Sequence, residues 1–167
     1  NEKNLPQSEI DNLLNLYQKE NYIEAENLAT ILTKKFPKNP FVWRILGAAL
    51  KKRGLLSESL IAKQEVINLL PNNSSAYANI GTTLMELGRL EEAKENLKYA
   101  ILIDPKFSEA YNNLGSTYKE IGNFKEAQNC YKIAISLNPS FAEANNNLGV
   151  IFRELGDSSK ARDCYEK

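Results

Sequence analysis

The sequence predicts an all-α solenoid of antiparallel helix pairs, and three ladders of residues carry that prediction. All eight glycines fall on two of them: Gly47, Gly81, Gly115 and Gly149 on the first, Gly54, Gly88, Gly122 and Gly156 on the second. Pro37, Pro71, Pro105 and Pro139 make the third. Every step is 34 residues. A repeat of that length is one supersecondary unit, which buries its hydrophobic face only by stacking on its neighbours.

The first helix of each unit carries a glycine in its middle, where it costs about 1 kcal/mol relative to alanine. Close approach of two helix backbones is the expected compensation, since only a residue without Cβ permits it. The second glycine follows seven residues later, where a left-handed residue ends the helix. Helix starters come next. Asn21 with Glu24 and Asn123 with Glu126 have capping-box spacing, and Asp157 suits an N-cap. The second helix runs towards the proline, which cannot continue it. Ser140, with Glu143 three residues on, reads as the next opening. Apolar spacing agrees: Tyr111, Leu114, Gly115 and Tyr118 form one stripe, and Ala127, Tyr131 and Ala134 form its counterpart. Tyr77, Ile80, Gly81 and Leu84 with Ala93, Leu97 and Ala100 repeat the pattern, as do Trp43, Leu46, Gly47 and Leu50. These aromatics read as core, and the whole predicts roughly ten helices.

In chain order, residues 1–39 form an atypical N-terminal capping repeat. Its second helix keeps Tyr22, Ala25, Leu32 and Pro37, while the first has only the stripe Ile10, Leu13, Leu14 and Tyr17, with Ser8 as N-cap. Repeats then occupy 40–73, 74–107 and 108–141, and a truncated one occupies 142–167. Lys63 stands where Leu97, Tyr131 and Tyr165 stand elsewhere, so that unit should pack less well, its stem on apolar surface and its ammonium in solvent. Asn145 replaces the aromatic found at Trp43, Tyr77 and Tyr111. The next proline on the ladder would fall beyond Lys167, so a segment of a longer protein is expected, with self-association through the uncovered C-terminal face. The start, Asn1-Glu2-Lys3-Asn4-Leu5-Pro6, has no apolar stretch of the kind a signal peptide needs.

The run Trp43-x-x-Leu46-Gly47-x-x-Leu50, and Tyr111-x-x-Leu114-Gly115-x-x-Tyr118 followed by Ala127, Tyr131, Ala134 and Pro139, resembles the tetratricopeptide repeat signature. The resemblance is strong over residues 40–167 and weak over 6–39. It implies a right-handed superhelix whose first helices line a concave groove.

Helical geometry selects the residues that would face such a groove, since they lie off the Tyr-Leu-Gly-Tyr stripe. In one repeat these are Glu109, Asn112, Asn113, Ser116, Lys119 and Glu120, with Ala78, Asn79 and Thr82 among the equivalents before and Glu143, Asn147 and Arg153 among those after. The informative row is Asn79, Asn113 and Asn147. An amide carries one acceptor and two donors, so a row of them can pair with the N–H and C=O groups of an extended peptide. The same row also suits a structural tie between adjacent helices. It is similar to the asparagine ladder of O-linked N-acetylglucosamine transferases, whose repeats hold substrate polypeptides by their backbones. The expected site is therefore Asn79, Thr82, Asn113, Ser116, Lys119, Asn147 and Arg153, with a protein or peptide as partner. Tetratricopeptide domains that clamp a terminal carboxylate need lysines and an arginine on the next helix. This chain offers Glu143 and Asn147 there, and Glu143 repels an anion.

Composition removes other classes. Lys and Arg total 21 and Asp and Glu total 21, so no net field draws the chain to nucleic acid or an anionic membrane. Lys34-Lys35 and Lys51-Lys52-Arg53 read as solvated helix faces, without the interleaved aromatics of a single-strand binder. No apolar run reaches the roughly 18 residues of a membrane span. The histidine count is 0, which removes the usual general base and the commonest metal ligand. Cys130 and Cys164 have neither a CxxC spacing nor histidine partners. They read as thiols one repeat apart, too far for a disulfide, and fit a reducing, cytoplasmic location. Glu91-Glu92 lies at a helix opening, where acids suit the macrodipole. No catalytic residue, metal site or cofactor is expected. The alternative to a free-standing interaction module is the substrate-recruiting arm of a longer modifying enzyme, glycosyltransferase-like or similar, with its catalytic domain beyond residue 167.

Overall fold

The turns that end the first helices fix the architecture. In a computed structural model, which describes residues 5–166, Gly54, Gly88, Gly122 and Gly156 all have left-handed backbone, with φ of +78°, +71°, +88° and +82°. Each closes a helix by the same pair of bonds. Gly122 N–H donates to Lys119 C=O at 2.9 Å and Asn123 N–H to Tyr118 C=O at 2.8 Å; Gly54 and Leu55 do the same to Lys51 and Leu50, both at 2.9 Å. That is the Schellman closure, and it reverses the chain within three residues so that the second helix returns along the first.

Ten helices follow among the described residues, and no strand: α1 Gln7–Gln18, α2 Tyr22–Lys35, α3 Pro40–Lys52, α4 Leu56–Leu69, α5 Ser74–Glu86, α6 Leu90–Ile103, α7 Ser108–Ile121, α8 Phe124–Leu137, α9 Ala142–Glu154 and α10 Ser158–Tyr165. The prolines lie two residues past α2, α4, α6 and α8. The atypical first repeat makes the same turn without glycine. Glu20 takes φ +59°, and Glu20 and Asn21 donate to Tyr17 and Leu16 at 3.0 and 2.9 Å. Left-handed backbone costs an L-residue about 1 kcal/mol or more, and nothing in the residue pattern marks Glu20 as bearing it. Asn1–Asn4, with the reading of the start as no signal peptide, and Lys167, the end of the truncated repeat, lie outside the described residues.

The helix starts correct several expectations. Asn21 and Asn123 sit at cap positions but make no side-chain cap bond, whereas the Asp157 carboxylate accepts from Lys160 N–H at 3.1 Å. Asn123 and Asp157 have nearly the same backbone angles. The difference lies three residues on: Lys160 Nζ donates to Asp157 at 2.6 Å and holds it in place, whereas Asn123 has Glu126 there. Ser140 does not open α9. Phe141 takes the cap position, and Ser140 Oγ donates to Asn138 Oδ1 at 2.9 Å. Ser8 lies inside α1, which Pro6 precedes. Among the caps that do form are Asn39 to Phe41 N–H at 3.0 Å and Asn73 to Ala76 N–H at 2.9 Å.

The chain divides into two compact units, Asn1–Ala76 and Tyr77–Lys167. In the first, α1 to α4 close on Leu13, Ala25, Ala29, Leu32, Val42, Leu46 and Leu50. Burying one such leucine contributes about 1.5–3 kcal/mol. In the second, Ala78, Leu97, Ala100, Ala110 and Leu114 form one cluster, and Ala127, Tyr131, Leu148 and Ile151 form another.

The mid-helix glycines make room for side chains, which corrects the expected approach of two backbones. A Cβ on Gly115 would lie 2.7 Å from Tyr131 Cε1, and one on Gly81 2.7 Å from Leu97 Cγ. Gly149 relates to Tyr165 in the same way, at 2.5 Å. At Gly47 the nearest atom is Lys63 Cγ at 3.0 Å, and a backbone atom, Ser59 O, follows at 3.4 Å. Ser59 Oγ also donates to Gly47 C=O at 2.7 Å. Lys63 is itself buried, its stem filling the slot.

Candidate functional site

Helix α7 shows how the repeat sorts its faces. Ala110, Leu114 and Gly115 point into the unit, where the Tyr131 ring fills the glycine slot. The Tyr131 hydroxyl passes through to Ser116 Oγ at 3.1 Å. Burial of that phenol pushes its pKa up to about 12, and burial of the adjoining Cys130 thiol raises it to about 11, so both stay neutral at ordinary pH.

The side of α7 towards α9 carries Asn112, which is 1% exposed. The sequence placed Asn112 and Ala78 on the groove-lining face, and the structure corrects both: Ala78 belongs to the core and Asn112 to a buried polar tie. Asn112 Nδ2 donates to Glu143 Oε1 at 2.8 Å, and Asn147 Nδ2 donates to Asn112 Oδ1 at 3.0 Å. These bonds satisfy the buried amide and clamp α9 to α7. The signal in the sequence was Ala78 at the position one repeat earlier, a small apolar residue where a groove-facing position would carry a polar one.

The expected site residues are distributed as follows. Asn79 is exposed on α5, and Asn113 and Asn147 are half-buried on α7 and α9. Asn147 spends one of its two amide hydrogens on Asn112. The Asn113 side chain makes no hydrogen bond among the described residues; its backbone C=O accepts from Thr117 Oγ1 at 2.9 Å. Thr82 Oγ1 turns back to Asn79 C=O at 3.0 Å, and Ser116 is committed to Tyr131. Lys119 is half-buried, Arg153 is exposed, and neither forms an ion pair among the described residues. The structure thus joins α7 to α9 through Asn147, Asn112 and Glu143, and leaves the Asn113 amide available.

The carboxylates on α6 are occupied. Glu91 pairs with Lys94, and Glu92 accepts two bonds from Arg89 at 2.7 and 2.6 Å, which pulls its pKa below the usual carboxylate value. In the first unit Arg53 pairs with Glu26. No disulfide joins Cys130 to Cys164. Among the described residues there is no group of His, Cys, Asp and Glu side chains that could hold a metal, and no helix long and apolar enough to cross a membrane.

Comparison with known families returns tetratricopeptide repeat models over residues 108–141 and 130–163 and a TPR repeat model over 81–122. No curated protein matches. Among solved structures, MamA (residues 41 to the end) from Desulfovibrio magneticus RS-1 superposes with a TM-score of 0.84 at 18% identity, covering 96% of this chain and 90% of that one. PilF of Pseudomonas aeruginosa gives 0.84 at 18%, covering 95% and 72%. The thermophilic TPR protein TTC0263 of Thermus thermophilus gives 0.79 at 22%, covering 96% and 88%. At these identities the likeness is one of fold. Over residues 81–163 the chain is built of tetratricopeptide repeats.

Proposed function

We propose that this chain is a protein-interaction module that holds an extended polypeptide against the exposed side of its first helices, with Asn113 as the central contact. The observation that carries this reading is the Asn113 amide. It is half-exposed, has no hydrogen bond of its own among the described residues, and recurs in register as Asn79 and Asn147. An amide so placed can donate to a peptide C=O and accept from a peptide N–H at once. Thr82, Ser116, Lys119 and Arg153 flank the row and complete the proposed site. Similarity to the asparagine row of O-linked N-acetylglucosamine transferases supports backbone recognition that tolerates many peptide sequences.

Single alanine variants separate binding from structure. Asn113→Ala should keep the parent's melting temperature and weaken peptide binding about two- to tenfold, the worth of one net hydrogen bond. Asn147→Ala should lower stability, because it breaks the bond to Asn112. Unchanged peptide affinity in Asn113→Ala, measured by isothermal titration calorimetry, would sink the reading.

A further inference from the structure

We infer that the polypeptide held on this face is cationic, bearing lysine or arginine at intervals along an extended segment; the inference rests on the peptide-binding reading above. On α7, Glu109 lies four residues before Asn113 and Glu120 seven after it, so all three share one line along the helix. Glu143, Asn147 and Glu154 repeat that line on α9. The carboxylates therefore stand about 6 Å to one side of each amide and about 10 Å to the other, measured along the helix axis. A chain crossing at the amides runs between two acidic edges.

These four carboxylates are exposed. None of them forms an ion pair among the described residues. Their hydrogen bonds among the described residues are to neutral groups, Ser108 Oγ to Glu109 at 3.0 Å and Asn112 Nδ2 to Glu143 at 2.8 Å. Helix α6 differs, since Glu91, Glu92 and Glu95 each pair with a cation of that helix or its cap. The two cations nearby, Lys119 and Arg153, precede Glu120 and Glu154 by one residue and so lie about 100° round the helix from the amide line. The face thus presents a net excess of negative charge where a peptide would lie, four carboxylates with Lys119 and Arg153 at its flank, although the chain as a whole has a formal net charge of +0. Charge complementarity selects a partner with ammonium or guanidinium side chains and rejects an acidic one.

Three fluorescein-labelled peptides of alternating sequence, Lys-Ser, Gln-Ser and Glu-Ser, test this by fluorescence anisotropy on the full chain. Lys-Ser should bind about three- to tenfold tighter than Gln-Ser, the worth of a few exposed ion pairs, and the advantage should shrink as salt is added. The double variant Glu120→Gln with Glu154→Gln should reduce that advantage and leave Gln-Ser unchanged. Equal binding of Lys-Ser and Gln-Ser, tighter binding of Glu-Ser, or a double variant that keeps the full lysine preference would overturn the inference. Asn113→Ala separates it from the reading beneath it. Weaker binding of all three peptides upholds the amide contact whatever their ranking. Unchanged binding with the lysine preference retained upholds the charge rule and overturns the amide contact. No binding of any peptide overturns both.

Discussion

The two sides of α7 meet at adjacent residues, and Asn112 and Asn113 contrast a packed face with the face proposed to bind peptide. Asn112 is 1% exposed and has both ends of its amide engaged by α9. Asn113, about 100° further round the helix, is half-exposed with its amide unengaged among the described residues. The same side chain thus meets opposite surroundings according to the face it occupies. A buried amide must be satisfied within the protein, because leaving it unpaired costs about 1–3 kcal/mol. An exposed one exchanges water for a ligand at little cost.

The packed side should be the more sensitive. The largest effect is expected at its glycine slot. In Gly115→Ala the new methyl meets the Tyr131 ring, which is 0% exposed and tethered to Ser116. Overpacking of about 1–3 kcal/mol should outweigh the gain of about 1 kcal/mol from alanine's helix propensity. A net loss of up to about 2 kcal/mol would lower Tm by up to roughly 4–8 °C. Gly47→Ala meets the unbranched Lys63 stem, with its nearest atom at 3.0 Å rather than 2.7 Å, and should stay within about 1 kcal/mol of the parent. Equal losses in the two variants, read by thermal denaturation, would show that the slot's occupant does not matter.

A smaller contrast is expected between the asparagines themselves. Asn112→Ala strips a donor from Glu143 and an acceptor from Asn147, and should destabilise by about 1–2 kcal/mol. Asn113→Ala should fall within about 0.5 kcal/mol of the parent, as surface substitutions usually do. Chemical denaturation of both variants reads the difference. If Asn113→Ala is the more damaging, the assignment of the two faces is reversed.

The sequence made the helices legible because glycine and proline punctuate them. Only glycine takes φ near +80° without strain, so Gly54, Gly88, Gly122 and Gly156 marked four turns. It could not mark the fifth, where Glu20 takes the same conformation under the constraint of the packed helices around it. The mid-helix ladder was visible, but its purpose was misread. A missing Cβ announces a close neighbour without saying whether that neighbour is backbone or, as at Gly115, a tyrosine ring. Caps were the least legible feature, since Asn123 and Asp157 share a backbone conformation and differ through Lys160, a partner outside the capping pattern. At the proposed site, periodicity marked a row of asparagines. It did not separate Asn112 from Asn113, because a helical wheel drawn for one helix ignores the neighbour that buries one flank. Ala78 in the row before was the available clue.

The central claim, that Asn113 is a ligand contact rather than a structural one, is tested most directly by following side-chain amide resonances by NMR while the Gln-Ser peptide is titrated in. A neutral peptide isolates the amide from the charge effects of the surrounding carboxylates. The account predicts that the Asn113 Nδ2 resonances shift in proportion to the fraction bound and that those of the buried Asn112 amide, which is held by Glu143 and Asn147, move much less. Binding that leaves Asn113 unmoved, with its shifts gathered instead around the exposed Tyr99 and Leu102 of α6, would contradict it.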